Sequence, residues 1–487
     1  MAANTGRSVP EKVHLVGIGG AHMSAIGRIL LAWGHQVSGS DLRRSPTTDA
    51  MAQLGARVAI GPHIAENVGG AVLVVTTSAA TSDNPELTEA RRRDIPVIKR
   101  SEMVARLMQG KIGVGIAGCH GKSTTSGLVA YVLVKAGYDP TYLIGADVPS
   151  LGTNAAAGSG PHVVVEADEY DRAFLSYHPQ VALVTNVEPD HLDYYRTWEA
   201  LLEAYRGFVS NVPAGGTLVL CADNEEALAL REYARTGVNV ETYSMRHDMR
   251  LPRSHSPQAG WYARLVRDGG SKRETSTALQ RFEVIRYGEK LGEFATALPE
   301  VHGVSNALGA IIVCTTLGLG PRQIGDALRR YGGVRRRFEL IGEAAGVTVM
   351  DDYAHHPTEV AGLHASARAR FPGRRVVVLF QPHTYARTRY LLDGWRQCFA
   401  GFDRLFLLET YAAREAIADG MTAAQLAEEI DDPRPGYAET FDEAADLVAK
   451  ELLPGDVFFT VGAGDVDSVG PKVLERLRSR GGSEVKT

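Results

Sequence analysis

Short runs rich in valine, isoleucine and leucine recur along the whole chain, each closing on glycine or polar residues and most followed by a helical pattern. "KVHLVGIGG" leads into "MSAIGRILLAWG", and "KIGVGIAG" into "STTSGLVAYVLVKAGY", where Leu128, Val132 and Leu133 stand at helical spacing. "AVLVVTTSAA" precedes "NPELTEARRRD", whose Asn84-Pro85 pair can start a helix. "HVVVEADE", "VALVTNVEPDH", "TLVLCADN", "VTVMDDYAHHP", "RVVVLFQPH", "RLFLLETYAARE" and "DVFFTVGAGD" repeat the theme. Strands alternating with helices predict an α/β fold of parallel sheets with helices on both faces. Ligands of such sheets lie beyond the carboxyl ends of the strands. The polar residues that close each run are therefore the candidates for function.

A chain of 487 residues exceeds one ordinary core and predicts two to four domains. Breaks at "LMQGKIG" and "GGVRRRF" divide it into three: residues 1–110, 111–334 and 335–487. Residues 246–278 are polar and irregular and read as excursions within the middle domain, and the tail "SRGGSEVKT" reads as loose. A formal charge of −5 gives no electrostatic case for nucleic acid, and the runs Arg91–Arg93 and Arg335–Arg337 are too short to supply one. The four cysteines, Cys119, Cys221, Cys314 and Cys398, form no CxxC pair and no zinc spacing, which favours a reducing compartment. His14, His22 and Arg28 interrupt the apolar opening, so it reads as neither signal peptide nor membrane span. A cytosolic protein with no membrane partner is expected.

"GIAGCHGKSTTS" ends like a phosphate-binding loop, but the usual G-x-x-x-x-G-K-[ST] spacing would need glycine at position 116, which is isoleucine. What remains is G-x-x-G-K-S-T, from Gly118 to Thr124. Gly118 and Gly121 let backbone N–H groups turn toward a phosphate at the positive end of the next helix. Lys122 would reach the β- and γ-phosphates, and the Ser123 hydroxyl would sit on Mg²⁺. Cys119 reads as filling space. Two further runs close on Glu166, Asp168 and Glu169, and on Asn186, Asp190, His191 and Asp193. Mg²⁺ takes oxygen ligands, which Glu166 suits; His191 taken alone reads as a capping or core histidine. In "GIGGAHMS", Gly17 and Gly19 fit a dinucleotide fingerprint, but His22 replaces its third glycine and weakens the case for NAD. Gly19 and Gly20 could still hold a pyrophosphate, with Asp41 at the distance of a ribose or base contact. "DDYAHHPTE" and "FQPHTYARTR" gather Asp351, Asp352, Tyr353, His355, His356, His383, Arg387 and Arg389, whose arginines suit carboxylate or phosphoryl oxygens.

Together these motifs resemble the Mur ligase family, over nearly the whole chain from "HLVGIGGAHMS" to "GAGDV". "DDYAHHPTE" and "LFQPHTYARTR" are most similar to the branch that adds L-alanine to UDP-N-acetylmuramate. The tripeptide-recycling branch shares the His-His-Pro but lacks "FQPH". The family's own loop is the shorter G-x-H-G-K-[TS]-T. The resemblance implies a Rossmann-like N-terminal domain for the UDP-sugar, a central P-loop ATPase-like domain and a Rossmann-like C-terminal domain for the amino acid. It implies ATP and Mg²⁺, and a reaction through an acyl phosphate; monomer and homodimer both stay open. By analogy Gly118, His120, Gly121, Lys122, Ser123 and Thr124 hold phosphates, with Ser123, Glu166 and His191 on metal. His302 and Asn306 in "HGVSN" contact adenine, and Arg337 serves the γ-phosphate side. Tyr353, His355, His356 and Arg387 shape the amino-acid pocket, Asn186 faces substrate, and Gly19, Asp41 and Ser78 face the UDP part. The chain departs from the family at His22 and Gly303, where glycine and asparagine are usual, at Glu409, where aspartate is usual, and in "GCHGKS" for "GTHGKT". A recycling ligase, an NAD-dependent oxidoreductase domain and a non-catalytic nucleotide-binding regulator remain as alternatives.

Overall fold

The computed structural model describes residues 9–77, 80–245, 260–266, 279–413, 415 and 420–483. The chain forms two compact units, Met1–Asp190 with Tyr194–Gly333, and His191–Asp193 with Val334–Thr487. The larger unit holds two sheets and the smaller one holds a third.

The first sheet has five parallel strands. Lys12–Val16 lies at its centre between Gln36–Asp41 and Leu73–Thr76, with Arg57–Ile60 and Val97–Lys99 at the edges. Strand order reverses at the central strand, which opens a crevice beyond its carboxyl end. Its first helix, Ala21–Ala32, starts there. Asn84 caps the helix Pro85–Arg92 by accepting the Glu86 N–H at 2.9 Å, as the Asn-Pro pair leads one to expect.

The second sheet has ten strands. At its centre Ile112–Ala117 pairs in parallel with His162–Glu166 on one side and Val181–Val184 on the other. Every side chain of those two neighbours is buried, as expected of strands covered on both faces. The far end differs from the sequence reading. Trp261–Leu265 is a strand, followed by the antiparallel pair Gln280–Arg286 and Glu289–Thr296. These strands bury one face only and carry Arg264, Glu283, Lys290 and Glu293 as ion pairs on the other. A charged outer face of this kind is what made Trp261–Leu265 read as part of an irregular excursion. The rest of the 246–278 excursion, apart from residues 260 and 266, lies outside the described residues.

The third sheet runs Glu339–Ala344, Val347–Asp352, Val457–Val461, Val376–Phe380, Arg404–Leu408 and Gly436–Ala438 from edge to edge, parallel except for the first. Phe380, Trp395 and Phe399 pack on one face, and Phe406, Phe458 and Val473 on the other. The last helix, Val469–Ser483, reaches into the tail read as loose, because Val473, Leu474 and Leu477 bury one of its faces against the sheet. Among the described residues no helix is long and apolar enough to cross a membrane.

Candidate functional site

The strand Ile112–Ala117 turns into the helix Lys122–Lys135 through Gly118–Gly121, and the turn needs both glycines. Gly118 has φ 133° and Gly121 φ 82°, left-handed conformations that side chains resist. A Cβ on Gly118 would overlap Thr185 Oγ1, and one on Gly121 would lie 2.5 Å from Asn306 Oδ1. Asn186, closing the neighbouring strand, grips the loop backbone from outside. Its Oδ1 accepts the His120 N–H at 2.9 Å, its Nδ2 donates to His120 O at 3.1 Å, and its carbonyl accepts the Cys119 N–H at 3.2 Å. Tyr331 donates to Thr124 O at 3.1 Å, tying the helix start to the end of this unit. The structure thus brings Asn306, expected at adenine, against the loop itself. His302 lies one helical turn earlier on the helix Glu300–Thr316 and is exposed.

Lys122 Nζ donates to Gly118 O at 2.5 Å and Cys119 O at 3.2 Å, and pairs with Glu169 at 2.9 Å. Burial works against its charge, but the carboxylates, Glu169 foremost, more than offset this and hold the ammonium above the usual lysine range. Glu169 closes its run beside Glu166 and Asp168, but the motifs assign it no role. It is fully buried, and its carboxylate lies within 4.8 Å of that of Asp190, at the end of the strand-to-helix loop on the other side. Glu166 ends the strand beside the loop, opposite Ile116, and its Oε2 accepts the Gly145 N–H at 2.8 Å. Its Oε1 accepts no hydrogen bond from a described residue. Ser123, half-buried, stands in the first turn of the loop helix. Oxygen donors on adjoining strand and helix ends, one with an uncommitted oxygen, fit a hard cation such as Mg²⁺. His191 follows Asp190 with φ 55°, again left-handed.

Cys119 is buried, and its Sγ lies 3.2 Å from Glu188 O. Burial, then Glu169 and Asp190, push its thiol far above the usual range despite the helix start beside it. Iodoacetamide at neutral pH should therefore leave Cys119 unmodified in the folded protein and label it in denaturant. Mass spectrometry showing native labelling would contradict this.

In the first sheet Asp41 Oδ2 accepts the Gly19 N–H at 2.9 Å, so two residues expected to face one ligand meet across the crevice. Ser78 lies outside the described residues. His22 follows on the first turn of the helix; burial first, then Arg100, lower its pKa to about 4 against the pull of Asp168. Its imidazole is neutral at physiological pH. Arg100 and Asp168 pair at 3.1 Å, joining the first sheet's last helix to the segment that carries Glu169.

In the third sheet the residues expected around the amino acid cluster beyond the strands Val347–Asp352 and Val376–Phe380. Arg337 lies over the Tyr353 ring at 5.3 Å and pairs with Glu359 at 3.1 Å. Glu359, which the motifs did not single out, accepts the His355 N–H at 2.9 Å. His355 stands edge-on to His383 at 6.1 Å, and Arg387 bonds His383 at 3.2 Å. His356 caps the helix Pro357–Arg370 by accepting the Thr358 N–H at 3.3 Å. Burial raises Asp352 to about 6 against Arg337 and the N–H groups of Phe338 and Ala354. Glu409 Oε2 accepts the Tyr437 hydroxyl proton, and its Oε1 the Thr410 N–H at 2.6 Å.

Three family models match in succession: Mur ligase family, catalytic domain, at residues 12–112; Mur ligase middle domain at 116–314; and Mur ligase, glutamate ligase domain at 336–464. A UDP-N-acetylmuramate–L-alanine ligase of Anaeromyxobacter dehalogenans is 44% identical over 475 residues, covering 97% of this chain and 99% of its own. The crystal structure of a UDP-N-acetylmuramate-alanine ligase from Thermotoga maritima is similar at a TM-score of 0.77 and 26% identity, covering 96% of this chain and 99% of that one. A murein peptide ligase from Psychrobacter arcticus shares the fold at a TM-score of 0.70 and 22% identity, covering 96% of this chain and 99% of that one. With all three family models in order along one chain, and a relative matched over almost its whole length, the chain belongs to the Mur ligase family.

Proposed function

We propose that this chain joins L-alanine to the lactyl carboxylate of UDP-N-acetylmuramate with cleavage of ATP, an early step in peptidoglycan precursor synthesis in the cytosol. The observation that carries the reading is Lys122, held at the start of its helix between loop carbonyls and Glu169, with Glu166 closing the next strand. ATP gives its γ-phosphoryl group to an oxygen of the carboxylate and leaves as ADP. The amine of L-alanine then attacks the carbonyl carbon of the acyl phosphate. The tetrahedral intermediate breaks its C–O bond to phosphate, one proton leaves the nitrogen, and an amide remains. Little of this needs covalent help from the protein, whose task is positioning and neutralising charge.

Gly118, His120, Gly121 and Thr124 would cradle the phosphates, and the Lys122 ammonium would exchange its carbonyl partners for phosphoryl oxygens. Ser123 and Glu166 would hold one Mg²⁺ and His191 a second, and Mg²⁺ neutralises phosphate oxygens when bound. Asn186 would keep the loop in register for the carboxylate, and His302 and Asn306 would meet the adenosine side. Arg337, set beside Tyr353 and Glu359, would steady charge on the transferring group. Tyr353, His355, His356 and Arg387 would shape the amino-acid pocket. Residues 1–110, 111–334 and 335–487 would then serve the UDP-sugar, ATP and the amino acid in turn.

The test is phosphate release with ATP, Mg²⁺ and UDP-N-acetylmuramate, with and without a panel of amino acids and the murein tripeptide. Release that depends on L-alanine is the expected result. Dependence on the tripeptide would move the assignment to recycling, against which "FQPH" argues, and no release with any acceptor would sink the ligase reading.

A further inference from the structure

Beneath the glycine loop of the first sheet lies a carboxylate with no part in the reaction described above. Glu86 is fully buried, yet both its oxygens are engaged twice. Oε2 accepts from Ser40 Oγ at 2.7 Å and His14 Nε2 at 3.1 Å. Oε1 accepts from Asn67 Nδ2 at 2.6 Å and His63 Nδ1 at 3.2 Å. His14 is itself set by Ser38 Oγ, 2.9 Å from its Nδ1. Burial alone would raise the pKa of Glu86, but the bonds from His14, Asn67 and Ser40 bring it down to about 2, and it stands in the first turn of its helix, where negative charge is favoured. The carboxylate is therefore charged at any physiological pH.

A buried charge of this kind is weak as a source of stability, since a well-packed apolar group often does as well. What it does here is join five segments: the first and second strands, the turn at His63, the short helix at Asn67 and the helix Pro85–Arg92. One of its partners reaches the ligand side directly. The Ser40 carbonyl accepts the N–H groups of Gly17 and Ile18, each at 2.9 Å, and the next residue, Asp41, accepts that of Gly19 at 2.9 Å. The loop thus hangs on Ser40 and Asp41, and Ser40 hangs on Glu86.

We propose that Glu86 is a positioning residue for the nucleotide-sugar, acting through Ser40 to set the Gly17–Gly20 loop and Asp41. The inference rests on the reading that this loop takes the UDP part of the substrate. Glu86→Gln keeps the shape but puts an N–H₂ where one pair of donors now points. The KM for UDP-N-acetylmuramate should rise about tenfold, the effect of one bond to a charged group. The KM values for ATP and L-alanine, and kcat, should stay near wild type. Ser40→Ala should give the same selective rise, and the double variant should be no worse than the stronger single one, because both remove one linkage. Val219→Ala, a buried change in the second sheet of the same unit and outside the network, serves as the control for lost stability and should leave the KM unmoved.

Calorimetric titration of wild type with UDP-N-acetylmuramate separates the two readings. If wild type does not bind it, the functional reading falls and this inference with it. If wild type binds and Glu86→Gln binds equally well, or loses only melting temperature as Val219→Ala does, the positioning role is overturned while the functional reading stands. Additive effects of Glu86→Gln and Ser40→Ala would likewise overturn the route through Ser40.

Discussion

Lys122→Met is expected to lower L-alanine-dependent phosphate release by roughly 10³-fold, the scale on which one group aimed at developing phosphoryl charge acts. The same change has a second effect. Lys122 is 14% exposed and Glu169 fully buried, so removing the ammonium takes away the cation beside a buried carboxylate. Breaking a buried pair from one side costs about 3–5 kcal/mol, and the melting temperature should fall accordingly. The two losses are separable. Lys122→Met combined with Glu169→Gln removes that buried charge as well, so it should regain much of the lost melting temperature without regaining activity. Calorimetry and a phosphate-release assay on the three proteins decide the matter. Near-normal turnover in Lys122→Met would end the assignment of Lys122 to the phosphates. Equal recovery of both properties in the double variant would mean that the activity loss was only unfolding.

Gly118→Ala should be the most damaging single-methyl change in the loop. Gly118 sits at φ 133°, and the new Cβ would overlap Thr185 Oγ1 and stand 3.1 Å from the backbone N and O of Asn186. Thr185 Oγ1 cannot simply yield, since it donates to His120 O at 2.6 Å. Gly137→Ala provides the comparison. That glycine has φ 81° but nothing within 4 Å of its Cβ, so only backbone strain of about 1 kcal/mol is expected there. Gly118→Ala adds crowding against fixed backbone to such strain and should cost several-fold more, with phosphate release falling by about 10²-fold as the N–H groups leave their aim. Melting curves and turnover for the two variants test this. Equal, mild effects would show that the loop backbone can shift freely.

The alternation of strand and helix made the parallel sheets legible, and the glycine spacing around Lys122 made the loop legible. Two acidic residues were harder. "EADEYD" offers Glu166, Asp168 and Glu169 on equal terms. Which one turns inward is set by a tight 3-10 turn, Tyr170–Ser176, where Asp171 and Arg172 take left-handed φ of 54°. Aspartate tolerates such a conformation without announcing it, and arginine gives no sign of it at all. Glu359 had a local signal: it stands three residues after the cap His356, where an acid commonly turns back to the preceding N–H groups. The strands Gln280–Arg286 and Glu289–Thr296 escaped because their outer faces are charged. Asn306 was read by analogy as an adenine contact; its place against Gly121 comes from helix packing between distant parts of the chain, which spacing does not encode.

The pairing order of the central sheet also dictates when the loop can exist during synthesis. Ribosomes deliver this chain from its N-terminus, and domains form as they emerge. All five strands of the first sheet lie between Lys12 and Lys99, so that sheet can close before the loop is made. The loop strand, by contrast, pairs Val114 with Val164 and with Val181, and the clamp on its backbone is Asn186. A nascent chain that ends before Asn186 therefore carries Lys122 without the residue that clamps its loop. The loop and its clamp can thus be completed only after the first sheet has had the chance to close.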